Sequence, residues 1–106
     1  MKNFIYGCWK KRRKDKPRII YFQQNPTAGA CEEYFYLLLE GIDKVRFETS
    51  LVCPEYVNLN SWISRIEKLG VQVYRYPSDN GSSLRILYLR SLFRKLKPDL
   101  VHFNDP

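Results

Sequence analysis

A chain of 106 residues, 44% of them hydrophobic, holds a single domain with a packed core. Its net charge of +7 is uneven: residues 1–18 carry eight Lys or Arg against the single acid Asp15, and beyond Arg18 ten basic residues balance ten acidic ones. The basic character belongs to a short tail, Lys10-Lys11-Arg12-Arg13-Lys14-Asp15-Lys16, which argues against a fold that reads nucleic acid. No apolar run approaches the ~18–20 residues of a membrane span, and the N-terminal apolar stretch is too short for a secretory signal, so a soluble cytoplasmic protein is expected.

Cys8, Cys31 and Cys53 are odd in number, widely spaced and without a C-x-x-C pair. That pattern suggests reduced thiols and neither a disulfide framework nor a zinc site, and no metal cofactor is expected. Cys31 and Cys53 sit in apolar contexts, where a cysteine usually serves as a small buried hydrophobe.

In chain order, residues 1–16 read as a flexible basic extension. Phe4-Ile5-Tyr6-Gly7-Cys8-Trp9 followed by the lysine run has the pattern of a peripheral contact with an anionic membrane, aromatics at the interface and cations near lipid phosphates. A solvated tail is the alternative. Pro17 opens the domain of residues 17–106, and Ile19-Ile20-Tyr21-Phe22 reads as the first strand.

The small-residue turn Pro26-Thr27-Ala28-Gly29-Ala30-Cys31-Glu32-Glu33 then leads into a helix over 29–42. Its predicted apolar stripe is Ala30, Tyr34, Leu37 and Leu38, widened by Phe35 and Ile42. Small residues before a helix N-terminus let a ligand approach the backbone, where the N–H groups and helix dipole attract anions, so this turn is a candidate ligand site. Gly29 has a competing explanation in the backbone freedom of a tight connection, and Glu32 and Glu33 in favourable charge at the helix start.

Phe47 to Cys53, stopped by Pro54, predicts a second strand. Trp62, Ile63, Ile66 and Leu69 recur at helical spacing until Gly70 caps the second helix. Val71 to Tyr76 predicts a third strand, broken by Pro77 and the Asp79-Asn80-Gly81 turn. Ser82 or Ser83 caps a third helix lined by Ile86, Leu89, Phe93 and Leu96, and after Pro98 a fourth strand spans Asp99 to Phe103.

Four strands alternating with three helices specify an α/β, Rossmann-like three-layer domain with a parallel four-stranded sheet. Ligands bind such sheets beyond the carboxyl ends of the strands, where strand order reverses, here between the first and fourth. The loop Gln23 to Glu32 and the segment His102-Phe103-Asn104-Asp105-Pro106 meet there. The chain reads as the opening part of something larger, truncated after the fourth strand.

These landmarks resemble the N-terminal domain of family 4 glycosyltransferases, retaining nucleotide-sugar enzymes of the GT-B fold with two Rossmann-like domains facing a cleft. The resemblance rests on Pro17-Arg18-Ile19-Ile20-Tyr21-Phe22, on Gly29-Ala30-Cys31-Glu32 where the family often has Gly-Gly-Ala-Glu, and on Leu38-Leu39-Glu40-Gly41-Ile42. Phe47 to Pro54, Leu69-Gly70-Val71-Gln72-Val73 and Leu96-Lys97-Pro98-Asp99-Leu100-Val101-His102 follow in the family's order.

The resemblance implies transfer of a sugar from a nucleotide-sugar donor to a glycan or lipid-linked acceptor, as in polysaccharide biosynthesis. It places Gly29 and Ala30 at the cleft near the donor's phosphates and the acceptor, gives Glu32 a cleft role, puts His102, Asn104 and Asp105 on the acceptor side, and leaves the catalytic residue unassigned. Relatives often read His-x-His-Asp at the last site, whereas this chain has His102-Phe103-Asn104-Asp105. Asn104 can donate to and accept from a sugar hydroxyl but cannot transfer a proton. The donor-binding domain of such enzymes holds most of the nucleotide, so the present chain is expected to be inactive alone. A stand-alone Rossmann-like interaction module, or an inactive truncated product, is the alternative. A dinucleotide site is disfavoured because Thr27 to Glu32 holds one glycine in place of G-x-G-x-x-G.

Overall fold

The computed structural model describes residues 16–78 and 82–104. The tail apart from Lys16, the Asp79-Asn80-Gly81 turn and Asp105 lie outside the described residues. The elements are β1 (Arg18–Gln23), α1 (Ala30–Gly41), β2 (Glu48–Pro54), a 3-10 turn (Val57–Leu59), α2 (Asn60–Glu67), β3 (Gln72–Tyr76), α3 (Ser82–Leu96) and β4 (Leu100–Asn104).

All strand pairs are parallel, in the order β3-β2-β1-β4. The chain adds β2 and β3 on one side of β1 and then places β4 on the other, so the reversal falls between β1 and β4. In register, Tyr21 stands opposite Leu51 of β2 and His102 of β4. The molecule is the α/β three-layer architecture expected from the alternation of elements.

Side chains alternate across each strand and build two cores. On one face Tyr21, Leu51 and Cys53 pack with Phe35 and Leu39 of α1 and with Trp62, Ile63 and Ile66 of α2. On the other, Ile20, Val52 and Tyr76 pack with Leu92 of α3. Burying a side chain such as Phe35 or Leu39 completely contributes roughly 1.5–3 kcal/mol.

The buried face of α1 differs from the predicted stripe. Tyr34 and Leu37 are 55% and 61% exposed, Ala30 is exposed as well, and the buried positions are Glu32, Phe35 and Leu39. Apolar residues occupy most of the circumference of this helix, so periodicity alone does not choose its rotation. The choice follows from the carboxylate of Glu32, which is held beneath the loop and turns Phe35 and Leu39 inward. In α3, Leu92 is the buried residue, Leu89, Phe93 and Leu96 are partly covered, and Ile86 is exposed.

The amino end of the sheet is closed by a tight clasp. Arg18 N–H donates to Asp99 Oδ2 at 2.7 Å while Asp99 N–H donates to Arg18 O at 2.8 Å. Arg18 Nη1 donates to Leu96 O at 2.7 Å and Nε pairs with Glu48 Oε1 at 3.2 Å. After α2, Gly70 adopts φ +88°, the left-handed conformation that lets the chain turn into β3.

Candidate functional site

The carboxyl ends of β1 and β4 lie side by side, with Gln23 in register with Asn104. From Gln23 the backbone runs through residues 24–29 into α1, and Pro26, Thr27, Ala28, Gly29 and Ala30 are all exposed. This corner is built around one carboxylate. Glu32 is 2% exposed; its Oε2 accepts from Gln23 Nε2 at 2.6 Å and from Asn25 Nδ2 at 3.0 Å, and its Oε1 accepts from Gly29 N–H at 2.8 Å.

Gln23 Nε2 also donates to Asn25 O at 2.7 Å, and Trp62 Nε1 donates to the Glu32 carbonyl at 3.0 Å, tying α2 to the start of α1. Burial alone would raise the Glu32 pKa, but the hydrogen bonds from Gln23, Asn25 and Gly29 outweigh it and hold the carboxyl below its ordinary value. A charged carboxylate at the third position of a helix also suits the positive end of its dipole. The N-terminus of α1 therefore carries its own anion. The buried Gln23 Oε1 has no hydrogen-bond partner, which leaves one acceptor at this corner unmatched.

Gly29 is the N-cap residue of α1, with φ −144° and ψ −151°, an extended backbone that does not call for glycine. A Cβ there would meet only Glu32 Oε1, at an ordinary 3.7 Å. Tight-turn geometry thus does not account for this glycine; its local effect is to leave the exposed loop unobstructed. Ala30 is the first residue of α1.

His102 stands on β4 facing the α1 side of the sheet. Its ring stacks on Tyr21 at 5.4 Å with planes 28° apart and meets the Phe35 ring edge-on at 5.3 Å. Tyr21 and Phe35 contact each other edge-on at 5.3 Å, so the imidazole is held by a rigid aromatic pair while staying half-exposed. Burial first, and Tyr34 second, push the Tyr21 hydroxyl above its ordinary pKa, so Tyr21 stays neutral.

The fold thus gathers Gly29, Ala30 and Glu32 in one corner and places His102 and Asn104 on the adjoining strand. Glu32 faces into the corner, braced by Gln23 and Asn25, two residues whose part the sequence did not mark. The only sequence signal for them was a polar Gln at the end of an apolar strand. A polar depression of about 240 Å³, lined by Lys16, Lys44, Glu48 and Gln72 among others, lies at the opposite, amino end of the strands. Among the described residues no group of three or more His, Cys, Asp or Glu side chains is placed to hold a metal ion, and no helix is long and apolar enough to cross a membrane. No protein-family model and no curated protein matches this chain.

Proposed function

We propose that this chain is the acceptor-side domain of a retaining glycosyltransferase, moving a sugar from a nucleotide-sugar to a glycan or lipid-linked acceptor. The observation that carries the reading is the meeting of the exposed Gly29-Ala30 corner with the end of β4, at the strand-order reversal where open α/β sheets bind ligands. In this reading an acceptor sugar approaches the backbone at Gly29 and Ala30 and stacks or bonds against His102, with Asn104 and Asp105 completing the acceptor side.

The internal carboxylate of Glu32 supports an acceptor role over a phosphate role. It already accepts the Gly29 N–H and would repel a second anion at the same helix start. The donor diphosphate accordingly belongs to a second domain, where its developing negative charge would be stabilised during transfer. Attachment to the inner face of an anionic membrane through Lys10 to Lys16 completes the picture for a lipid-linked acceptor.

Saturation-transfer NMR tests the reading with glucose, mannose, maltose and UDP-glucose as probes. Saccharide binding that disappears in Gly29→Val supports it, and saccharides that bind neither chain, or both equally, contradict it.

A further inference from the structure

A second concave surface lies on the other face of the sheet. Phe22 of β1, Phe103 of β4 and Ile86, Leu89, Arg90 and Phe93 of α3 line a groove of about 360 Å³. Its floor is aromatic and mutually braced. Phe22 stacks on Tyr76 at 5.8 Å and meets Phe93 and Phe103 edge-on at 6.4 and 5.3 Å. Its rim is open, with Phe103 56% and Ile86 61% exposed.

The groove exists because the two faces of the sheet are covered unequally. Helices α1 and α2 share one face, whereas α3 is the helix over the other among the described residues, and the strip of β1 and β4 beside it stays uncovered. Single exposed leucines are ordinary on a surface, but a concave apolar lining with one polar group is the composition of a ligand site. Here that group is Arg90. Ser82–Leu96 also carries Arg85, Arg94 and Lys95 and holds no Asp or Glu, so the local field favours an anion.

We propose that this groove binds a single-chain amphiphile with a phosphate head, its hydrocarbon lying against Phe22, Phe93 and Phe103 and its phosphate paired with the Arg90 guanidinium. A guanidinium offers phosphate a two-pronged match, and the shallow aromatic floor gives a single hydrocarbon chain apolar surface to lie along. His102 and Phe103 are neighbours on β4 whose side chains point to opposite faces, so the groove backs onto the sugar corner. The proposal rests on the groove itself and does not depend on glycosyl transfer.

The test titrates decyl phosphate, below its micelle concentration, into the isotope-labelled full chain and follows amide shifts. Saturable shifts are expected at Phe22, Ile86, Leu89 and Phe93, with binding about tenfold or more weaker for decyltrimethylammonium and none for inorganic phosphate. Ile86→Asp, at an exposed position that leaves the core intact, abolishes binding of both amphiphiles. Arg90→Gln removes the preference for the phosphate head, and Leu37→Asp on α1 changes nothing. Absence of saturation, equal binding of the two heads, or decyl phosphate binding that survives Ile86→Asp overturns the proposal. Adsorption to phosphatidylglycerol vesicles without binding of monomeric decyl phosphate also overturns it, by identifying a surface contact instead of a groove.

Discussion

Gln23, the last residue of β1, donates from Nε2 to Glu32 Oε2 at 2.6 Å, closing the loop between strand and helix with a buried charge-assisted hydrogen bond. Replacing Glu32 by Gln keeps the shape but leaves one acceptor oxygen in place of two, so its NH2 group faces either the donors of Gln23 and Asn25 or the Gly29 N–H. Leaving such buried groups unmatched costs about 2–3 kcal/mol, measurable as a lower urea midpoint with an unchanged slope.

The same carboxylate gives stability a defined dependence on pH. Its folded pKa is depressed, so its contribution is complete above the ordinary glutamate range near ~4.3 and is lost as pH falls through the lower folded value. Unfolding free energies measured from about pH 6 down to pH 3 should therefore converge for the parent chain and Glu32→Gln at the acid end. A constant difference across that range would assign the effect to packing.

The two described loop glycines should separate cleanly. Gly70 sits at φ +88° with open space around it, so Gly70→Ala carries backbone strain of about 1 kcal/mol. Gly29 is extended and tolerates a Cβ, so Gly29→Ala changes the melting temperature little or raises it slightly. Thermal unfolding of the pair side by side checks both.

Order and type of the elements were legible because apolar runs of strand length alternate with helical spacing between Pro and Gly breaks, and these local signals agree with the parallel sheet. The rotation of α1 was not. Tyr34, Phe35, Tyr36, Leu37, Leu38 and Leu39 form an unbroken apolar run, and the residue that orients it is the polar Glu32, buried only because Gln23 and Asn25 reach it from the preceding strand and loop. The corner could be located from the strand-loop-helix order, whereas its internal bracing depends on contacts between residues whose partners no spacing rule names. The groove beside α3 was equally hidden, since Ile86 reads as a core residue and is exposed because no second helix among the described residues covers that strip.

Cys53 offers a chemical check on the core. Burial pushes its thiol up to about 12, against the opposing influence of Arg75, so hardly any thiolate exists near neutral pH. Iodoacetamide should leave Cys53 unmodified in the native chain and label it once urea unfolds the domain, while the half-exposed Cys31 is modified natively. Peptide mass mapping before and after unfolding reads this directly; rapid native labelling of Cys53 would mean that the α1/α2 face opens.

The central claim is that the corner between β1, α1 and β4 receives an acceptor sugar, and residue-resolved NMR during a maltose or mannose titration tests it most directly. The account predicts saturable shifts at the amides of Gly29, Ala30 and His102, none at Lys68 or Lys95, and their loss in Gly29→Val with the fold retained by circular dichroism. A titration that leaves Gly29, Ala30 and His102 unmoved, or that shifts them equally in Gly29→Val, would contradict it.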